Sequence, residues 1–323
     1  MHYIKAGESI QEALDRLPDD GSRAVVVLAP GVYTGQVVIS RPNTELKGDD
    51  PEHTVLDCAL AAREILPDGE KRGTFRTATC RIAADHVTLR GLTVRNSSGP
   101  SQNAGQAIAL YVDGDAFLCE DCSLVSFQDT LFTAPLPPKE IEKNGFVGPG
   151  QFTPRTPQKH VYRHCRISGD VDFIFGGAAA WFEACDIVST DGRADKDHPY
   201  VGYCTAASTP EGQPFGYVFH DCRFINGGVP AASVYLGRPW REYARSVFMN
   251  CSFGDHIHPA AFHDWDKPAF HGHGYYAIYK CTFEGKTGPW MQDVHALTEK
   301  EAAEYTMEEF LAAPLKAAPD PKA

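Results

Sequence analysis

The sequence predicts an all-β fold, a parallel β-helix, and three observations carry the prediction. First, short strand-like runs recur at 24–28, 36–39, 86–89, 92–95 and 107–112, separated by Gly, Asn, Asp and Pro. Second, a loose internal repeat runs through the middle of the chain: an aromatic residue, then Cys, any residue, and Leu, Ile or Phe. It recurs at Phe117…Cys122-Ser123-Leu124, Tyr162…Cys165-Arg166-Ile167, Phe182…Cys185-Asp186-Ile187, Phe219…Cys222-Arg223-Phe224, Phe248…Cys251-Ser252-Phe253 and Tyr279…Cys281-Thr282-Phe283. Third, there is little helical periodicity between the first turns of the chain and its C-terminus. A repeat of roughly 20–40 residues made of short strands is the mark of a solenoid. Equivalent positions on stacked coils lie over one another, so the cysteines form a ladder of small buried side chains and need no redox role. Cys119 and Cys122 have C-x-x-C spacing but lack the βαβ context of a redox motif.

The remaining elements fit around such a coil. Ser9 and Glu12 form a capping-box pattern, and Ile10, Ala13, Leu14 and Leu17 fall on one helical face, which predicts a short helix over 9–17. Exposed core and strand edges promote aggregation, so this helix is expected to close one end. A second capping box, Thr298-Glu299-Lys300-Glu301, starts a helix expected to run to about residue 311 and to pack near the other end. A single domain over 1–313 follows, with a loose tail over 314–323 rich in Ala, Pro and Lys. Two segments interrupt the coils. Residues 66–72 are polar and loop-like. Residues 135–159 hold Pro135, Pro137, Pro138, Pro149, Pro154 and Pro157, and a loop that long in a compact domain is functional or disordered.

Composition narrows the function classes. With 323 residues and 43% hydrophobic content the chain can bury a sizeable core. A net charge of −12 and a pI near 5.5 argue against nucleic-acid binding, and any acidic ligand must be held by local basic groups. No run has the length of a transmembrane helix, so no membrane partner is expected. Met1-His2-Tyr3-Ile4-Lys5 lacks the apolar core of a signal peptide, which predicts a cytoplasmic protein, or a secreted one if a signal was removed. Asn96-Ser97-Ser98 and Asn250-Cys251-Ser252 fit the glycosylation pattern. A monomer is expected.

The chemistry-bearing residues sit in unusual company. In Gly169-Asp170-Val171-Asp172-Phe173-Ile174-Phe175-Gly176 two aspartates interrupt a strand-like apolar run. A turn accounts for Asp170. It does not account for Asp172, because carboxylates are rarely buried without a partner. Asp129, in Phe127-Gln128-Asp129-Thr130-Leu131, is a second carboxylate in apolar surroundings, one coil earlier. Gln106 lies among small apolar residues one coil before that. Leu236-Gly237-Arg238-Pro239-Trp240 places an arginine and a tryptophan after a strand.

Taken together and in order, Gly105-Gln106-Ala107, Gln128-Asp129-Thr130-Leu131, 170–176 and Leu236 to Trp240 resemble the pectin methylesterases. Gly31-Val32-Tyr33 and the run Thr74-Phe75-Arg76-Thr77-Ala78-Thr79 do so as well, and the resemblance spans about residues 8–279. It implies a right-handed parallel β-helix and hydrolysis of galacturonate C6 methyl esters, in pectin or methylated oligogalacturonides, with no metal or cofactor. It implies Asp172 as nucleophile and Asp129 as general acid, then base. Gln106 and Gln128 would stabilise the oxyanion, Arg238 would hold Asp172, and Phe175 and Trp240 would line the sugar groove. The chemistry requires one ionised and one protonated carboxyl. Burial beside Phe127 and Leu131, near the Asp172 charge, is expected to raise the Asp129 pKa. Phe173 and Ile174 are expected to anchor the strand. Among the histidines His256, His258, His263, His271 and His273, the first three fall where the family has a similar, non-metal segment, and no functional metal is expected.

The 135–159 segment departs from the family, which passes here through a short loop. It is expected to overhang the groove and to favour short oligosaccharides over polymer. Two other readings stand beside this one. An esterase or thioesterase of the same fold would share the carboxylates and differ in its groove. A non-catalytic polysaccharide-binding β-helix predicts loss of one or more of Gln106, Gln128, Asp129, Asp172 and Arg238, and all five are present.

Overall fold

The structure is a computed structural model describing residues 1–315. Its strands form three parallel sheets of eleven, nine and seven strands, each strand paired with the equivalent strand of the next coil. One coil shows the plan. Phe117–Glu120 belongs to the eleven-stranded sheet, Ser123–Val125 to the nine-stranded sheet and Leu131–Thr133 to the seven-stranded sheet. The fold is therefore the expected parallel β-helix.

The interior repeat is more regular than the sequence reading made it. The residue three before each ladder cysteine points inward, giving Cys119, Tyr162, Phe182, Phe219, Phe248 and Ile278 in register. Two expected members are thus corrected. Phe117 pairs with His160 rather than with Tyr162, and Tyr279 falls one residue out of register. The aromatic members stack face to face, and Leu124, Ile167, Ile187, Phe224, Phe253 and Phe283 form a second ladder two residues after the cysteines. All ten cysteines are free.

Seven consecutive coils turn from the eleven- to the nine-stranded sheet through one residue in the left-handed region, directly before the ladder position. Asp121, His164, Ala184, Asp221, Asn250 and Lys280 all have φ between 48° and 55°, and Gly91 has 61°. Gly, Asn and Asp tolerate that geometry best, which explains the polar punctuation between runs.

The N-terminal helix spans Ile10–Asp15, and Ile10 and Leu14 join the main core. Ser9 caps it by accepting from the Glu12 N–H, while Glu12 pairs with Arg16. The predicted C-terminal helix is two short helices, Glu299–Ala302 and Met307–Ala312, each with its own threonine cap. They lie along the outer face of the eleven-stranded sheet rather than over an open end. Phe310 is fully buried against Trp181, Phe215 and Val218, which face outward from two neighbouring coils. Leu315 joins this contact, and the rest of the expected tail, 316–323, lies outside the described residues. Asn96 is buried, its amide donating to the Leu60, Thr77 and Ile108 carbonyls, so it is not presented as a glycosylation acceptor.

Candidate active site

The outer face of the seven-stranded sheet carries the site. Tyr111, Phe132 and Phe175 stack on successive coils there, with Phe75 and Trp240 packed against them. A cavity of about 430 Å³ opens on this face. Gln106, Gln128, Asp129, Asp172, Phe175, Arg238 and Trp240 all line it, so the seven residues singled out by sequence converge.

Asp129 and Asp172 occupy equivalent corners of neighbouring coils, each two residues before the matched pair Leu131 and Ile174. The Asp129 N–H donates to the Val171 carbonyl at 3.1 Å. Both aspartates have positive φ, 63° and 49°. At Asp172 the strand Val171–Gly176 also slips register against its neighbour between Val171 and Ile174. Such a bulge re-aims a side chain. Phe173 and Ile174 can both enter the core, as expected, while Asp172 turns out to the groove.

Arg238 forks onto Asp172, Nε to Oδ1 at 2.8 Å and Nη2 to Oδ2 at 2.7 Å. The guanidinium is sandwiched between Trp265 and Tyr203, 3.6 and 3.9 Å from their ring centres. Stacking and bidentate pairing fix both partners. Asp129 makes no ion pair among the described residues. Burial, then the neighbouring Asp172 charge, hold its carboxyl well above the usual carboxylate range. Gln106 and Gln128 bridge backbone to backbone on adjacent coils, which sets both amides on one wall.

Asp170 is not the ordinary turn residue that the sequence suggested. It is 3% exposed, accepts from the Ser101 hydroxyl and the Val171 N–H, and burial pushes its pKa up to about 6. Ser101 opens the helical turn Ser101–Ala104 that leads into Gln106, so Asp170 ties the glutamine segment to the Asp172 strand.

Phe175 is 3% exposed and forms the groove floor, its ring 5.6 Å from that of Trp240, which is half-buried. Sequence reasoning missed Phe75, Phe146, Trp265, Arg241 and Lys267 as lining residues. Phe75 stood in a matched motif; Phe146 and Lys267 gave no local signal. Phe146 comes from the long inserted segment, whose tip, with Ile141, Glu142 and Gly145, does overhang the groove. Arg155 gathers the insertion by donating to the Pro137, Gly150, Gln151 and Thr153 carbonyls. The histidines are otherwise engaged: His271 bridges Asp264 and Asp293, and His258 stacks on Tyr235. Among the described residues no group of three or more His, Cys, Asp or Glu is placed to hold a metal.

Known proteins match this combination of fold and site. A sequence profile described as Pectinesterase matches residues 5–136 and 155–314, and the gap between the two matched stretches is the heart of the insertion. Pectinesterase A of Dickeya dadantii is 32% identical, over 95% of this chain and 87% of its own. Among solved structures, a pectin methylesterase in complex with a hexasaccharide superposes with TM-score 0.77 at 30% identity, covering 97% of this chain and 95% of that one. The pectin methylesterase from carrot gives 0.79 at 26%, covering 98% and 97%. Some Arabidopsis thaliana relatives, named as combined pectinesterase/pectinesterase inhibitors, are longer, and the chain spans about half their length. Fold and relatives define the class first: a carboxylic ester hydrolase built on a parallel β-helix. More narrowly, the chain belongs to the pectinesterase family.

Proposed function

We propose that the protein hydrolyses C6 methyl esters of galacturonate units, in pectin or methylated oligogalacturonides, and releases methanol. One contrast carries the reading: in the same cavity Asp172 is forked to Arg238, while Asp129 is buried without an ion pair and favours its protonated form. Ester hydrolysis through an acyl-enzyme needs that division of labour. An Asp172 oxygen attacks the ester carbonyl carbon, and the oxyanion accepts hydrogen bonds from the Gln106 and Gln128 amides. Collapse expels methoxide, which leaves as methanol with the Asp129 proton. The Asp129 carboxylate then takes a proton from water, whose oxygen attacks the Asp172 anhydride. The galacturonic acid unit departs and releases its proton to solvent as it becomes the carboxylate, Asp172 is regenerated as the carboxylate and Asp129 is protonated again. Phe175 and Trp240 offer aromatic surface to the apolar faces of the sugar rings. The hexasaccharide held by one structural relative supports an extended sugar ligand.

The inserted segment narrows the groove at Phe146, and short methylated oligosaccharides are its preferred substrates. The test is methanol release from methylated pectin and from methylated oligogalacturonides of defined length. Faster turnover of the oligomers is expected. No methanol from either, with hydrolysis of an acyl thioester instead, would replace this reading.

A further inference from the structure

The ring that covers Arg238 sits on a strained turn. Trp265 has φ 57° and Asp266 has φ 51°, so two consecutive residues other than glycine lie in the left-handed region. Asp266 tolerates that region; a residue as bulky as Trp265 is held there only when its surroundings over-determine it. Three contacts do so. The His263 N–H donates to the Gly237 carbonyl at 3.1 Å and ties the start of the turn to the seven-stranded sheet. The His263 Nδ1 accepts from the Trp265 N–H at 2.8 Å. The Asp264 carboxylate supplies the third: Oδ1 accepts from the Asp266 N–H at 3.0 Å, and Oδ2 meets the His271 Nε2 at 3.2 Å. The result is a Trp265 ring whose centre lies 3.6 Å from the Arg238 guanidinium and 3.7 Å from the Lys267 ammonium.

His271 is itself held from its other side. Its Nδ1 meets Asp293 Oδ2 at 2.8 Å, directly before Val294–Ala296, the last strand of the eleven-stranded sheet. A carboxylate only accepts, so both ring nitrogens must donate, and only the imidazolium carries both protons. Asp264 and Asp293 are the charged groups that face the ring, and Phe270 packs edge-on against it at 5.8 Å. The hydrogen bond to Asp293, then the one to Asp264, raises the His271 pKa. His271, Asp264 and Asp293 are 28, 35 and 38% exposed, so the bridge adds little to global stability. Its leverage is local, on where the turn places Trp265.

We infer that Asp264, His271 and Asp293 are positioning residues: the His271 imidazolium cross-links the two carboxylates, locks the Trp265 turn and so keeps Arg238 in its fork on Asp172. The kinetic consequences rest on the proposed esterase activity. The inference goes beyond it, because His271 does not line the cavity and touches Asp172 only through Asp264, Trp265 and Arg238. The sign follows from the proton. The cross-link is complete below the raised pKa of His271 and loses one of its two hydrogen bonds as pH rises through it. The strained turn then relaxes, and one of the two rings that clamp Arg238 is no longer fixed.

The experiment measures methanol release from methylated pectin by the wild-type protein, H271A, D293N and H271R. H271A and D293N should each lose about tenfold in kcat, with KM within about twofold and the melting temperature nearly unchanged. H271R keeps two donors and a charge that does not titrate, and should recover most of the loss. The ratio of wild-type to H271R kcat cancels the ionisation of Asp129. It should be flat at low pH and fall as pH rises through the His271 pKa. A readout independent of activity is the Trp265 indole signal in the NMR spectrum, identified by its loss in W265F. In the wild-type protein it should shift with the His271 ring at one common midpoint above about 6.5. If the wild-type protein releases no methanol, the esterase reading fails and the NMR titration alone decides this inference. If it does, wild-type kcat in H271A and D293N overturns the inference, as does an H271R variant that recovers nothing or a ratio that stays flat. A Trp265 signal that ignores the His271 titration overturns it in either case.

Discussion

On the inner side of the coils Tyr162, Phe182, Phe219 and Phe248 stack at ring separations of 4.7, 4.5 and 4.8 Å. On the outer side of the seven-stranded sheet three successive coils, the last of them the Tyr162 coil, carry Gln106, then Gln128 with Asp129, then Asp172. The inner positions repeat because each coil meets the same environment above and below. A like residue therefore packs best, and the ladder supports itself. The outer positions must differ, because like charges on adjacent coils repel. Asp129 and Asp172 are the exception, and the repulsion has a use: with burial, it keeps one of them protonated. Both regions use left-handed residues, but differently. Inside the repeat they turn a corner on every coil, whereas at Asp129 and Asp172 they aim a carboxylate.

The sharpest way to break this comparison is at the outer pair. Asp172→Asn and Asp129→Asn should each reduce methanol release by about a thousandfold or more and leave the melting curve nearly unchanged. Near-normal turnover in either variant would remove that aspartate from the chemistry. Arg238→Lys keeps the charge but loses the fork and the stacking between Tyr203 and Trp265. A loss in kcat of about a hundredfold is expected, read in the same assay.

Substitution inside the ladder should do the opposite. Phe219→Ala opens a fully buried cavity between two stacked rings and should cost about 3–5 kcal/mol in denaturant unfolding. The kcat of the molecules that remain folded should hold, and a large kcat loss would mean that the two faces are coupled. The pH profile probes the outer pair without substitution. The first step needs Asp129 protonated, so kcat/KM should fall as pH rises through its elevated pKa. That alkaline limb should lie well above the ordinary carboxylate range of about 4, and a limb below about pH 5 would contradict it. The smallest effect belongs to a corner: Ala184, exposed at φ 50°, should gain about 0.5–1 kcal/mol as Ala184→Gly, visible as a higher melting temperature.

Much of this was legible in the chain. The cysteine ladder announced stacked coils, and the residues after each cysteine kept their register. The reading slipped at Phe117 and Tyr279, because an aromatic residue one or two positions from the true ladder position looks the same in one dimension. Asp170 was misjudged for a similar reason. A turn residue with glycine before it reads as solvated, and only the approach of Ser101 and Gly192 from distant segments buries it. The insertion announced itself by length and proline content, but not the partners of Phe146.

By itself the sequence determined the coil and named the groups that line the candidate site. The first follows from a strand-and-corner repeat, the second from residue types set against their local apolar context and from ordered motifs shared with the pectin methylesterases. The tertiary structure alone decided which way those groups face. The bulge that turns Asp172 outward, the fork from Arg238 and the rings that clamp it bring together segments far apart in the chain. Their meeting depends on how each loop returns to the stack, and that geometry is set by packing between coils rather than by any local pattern.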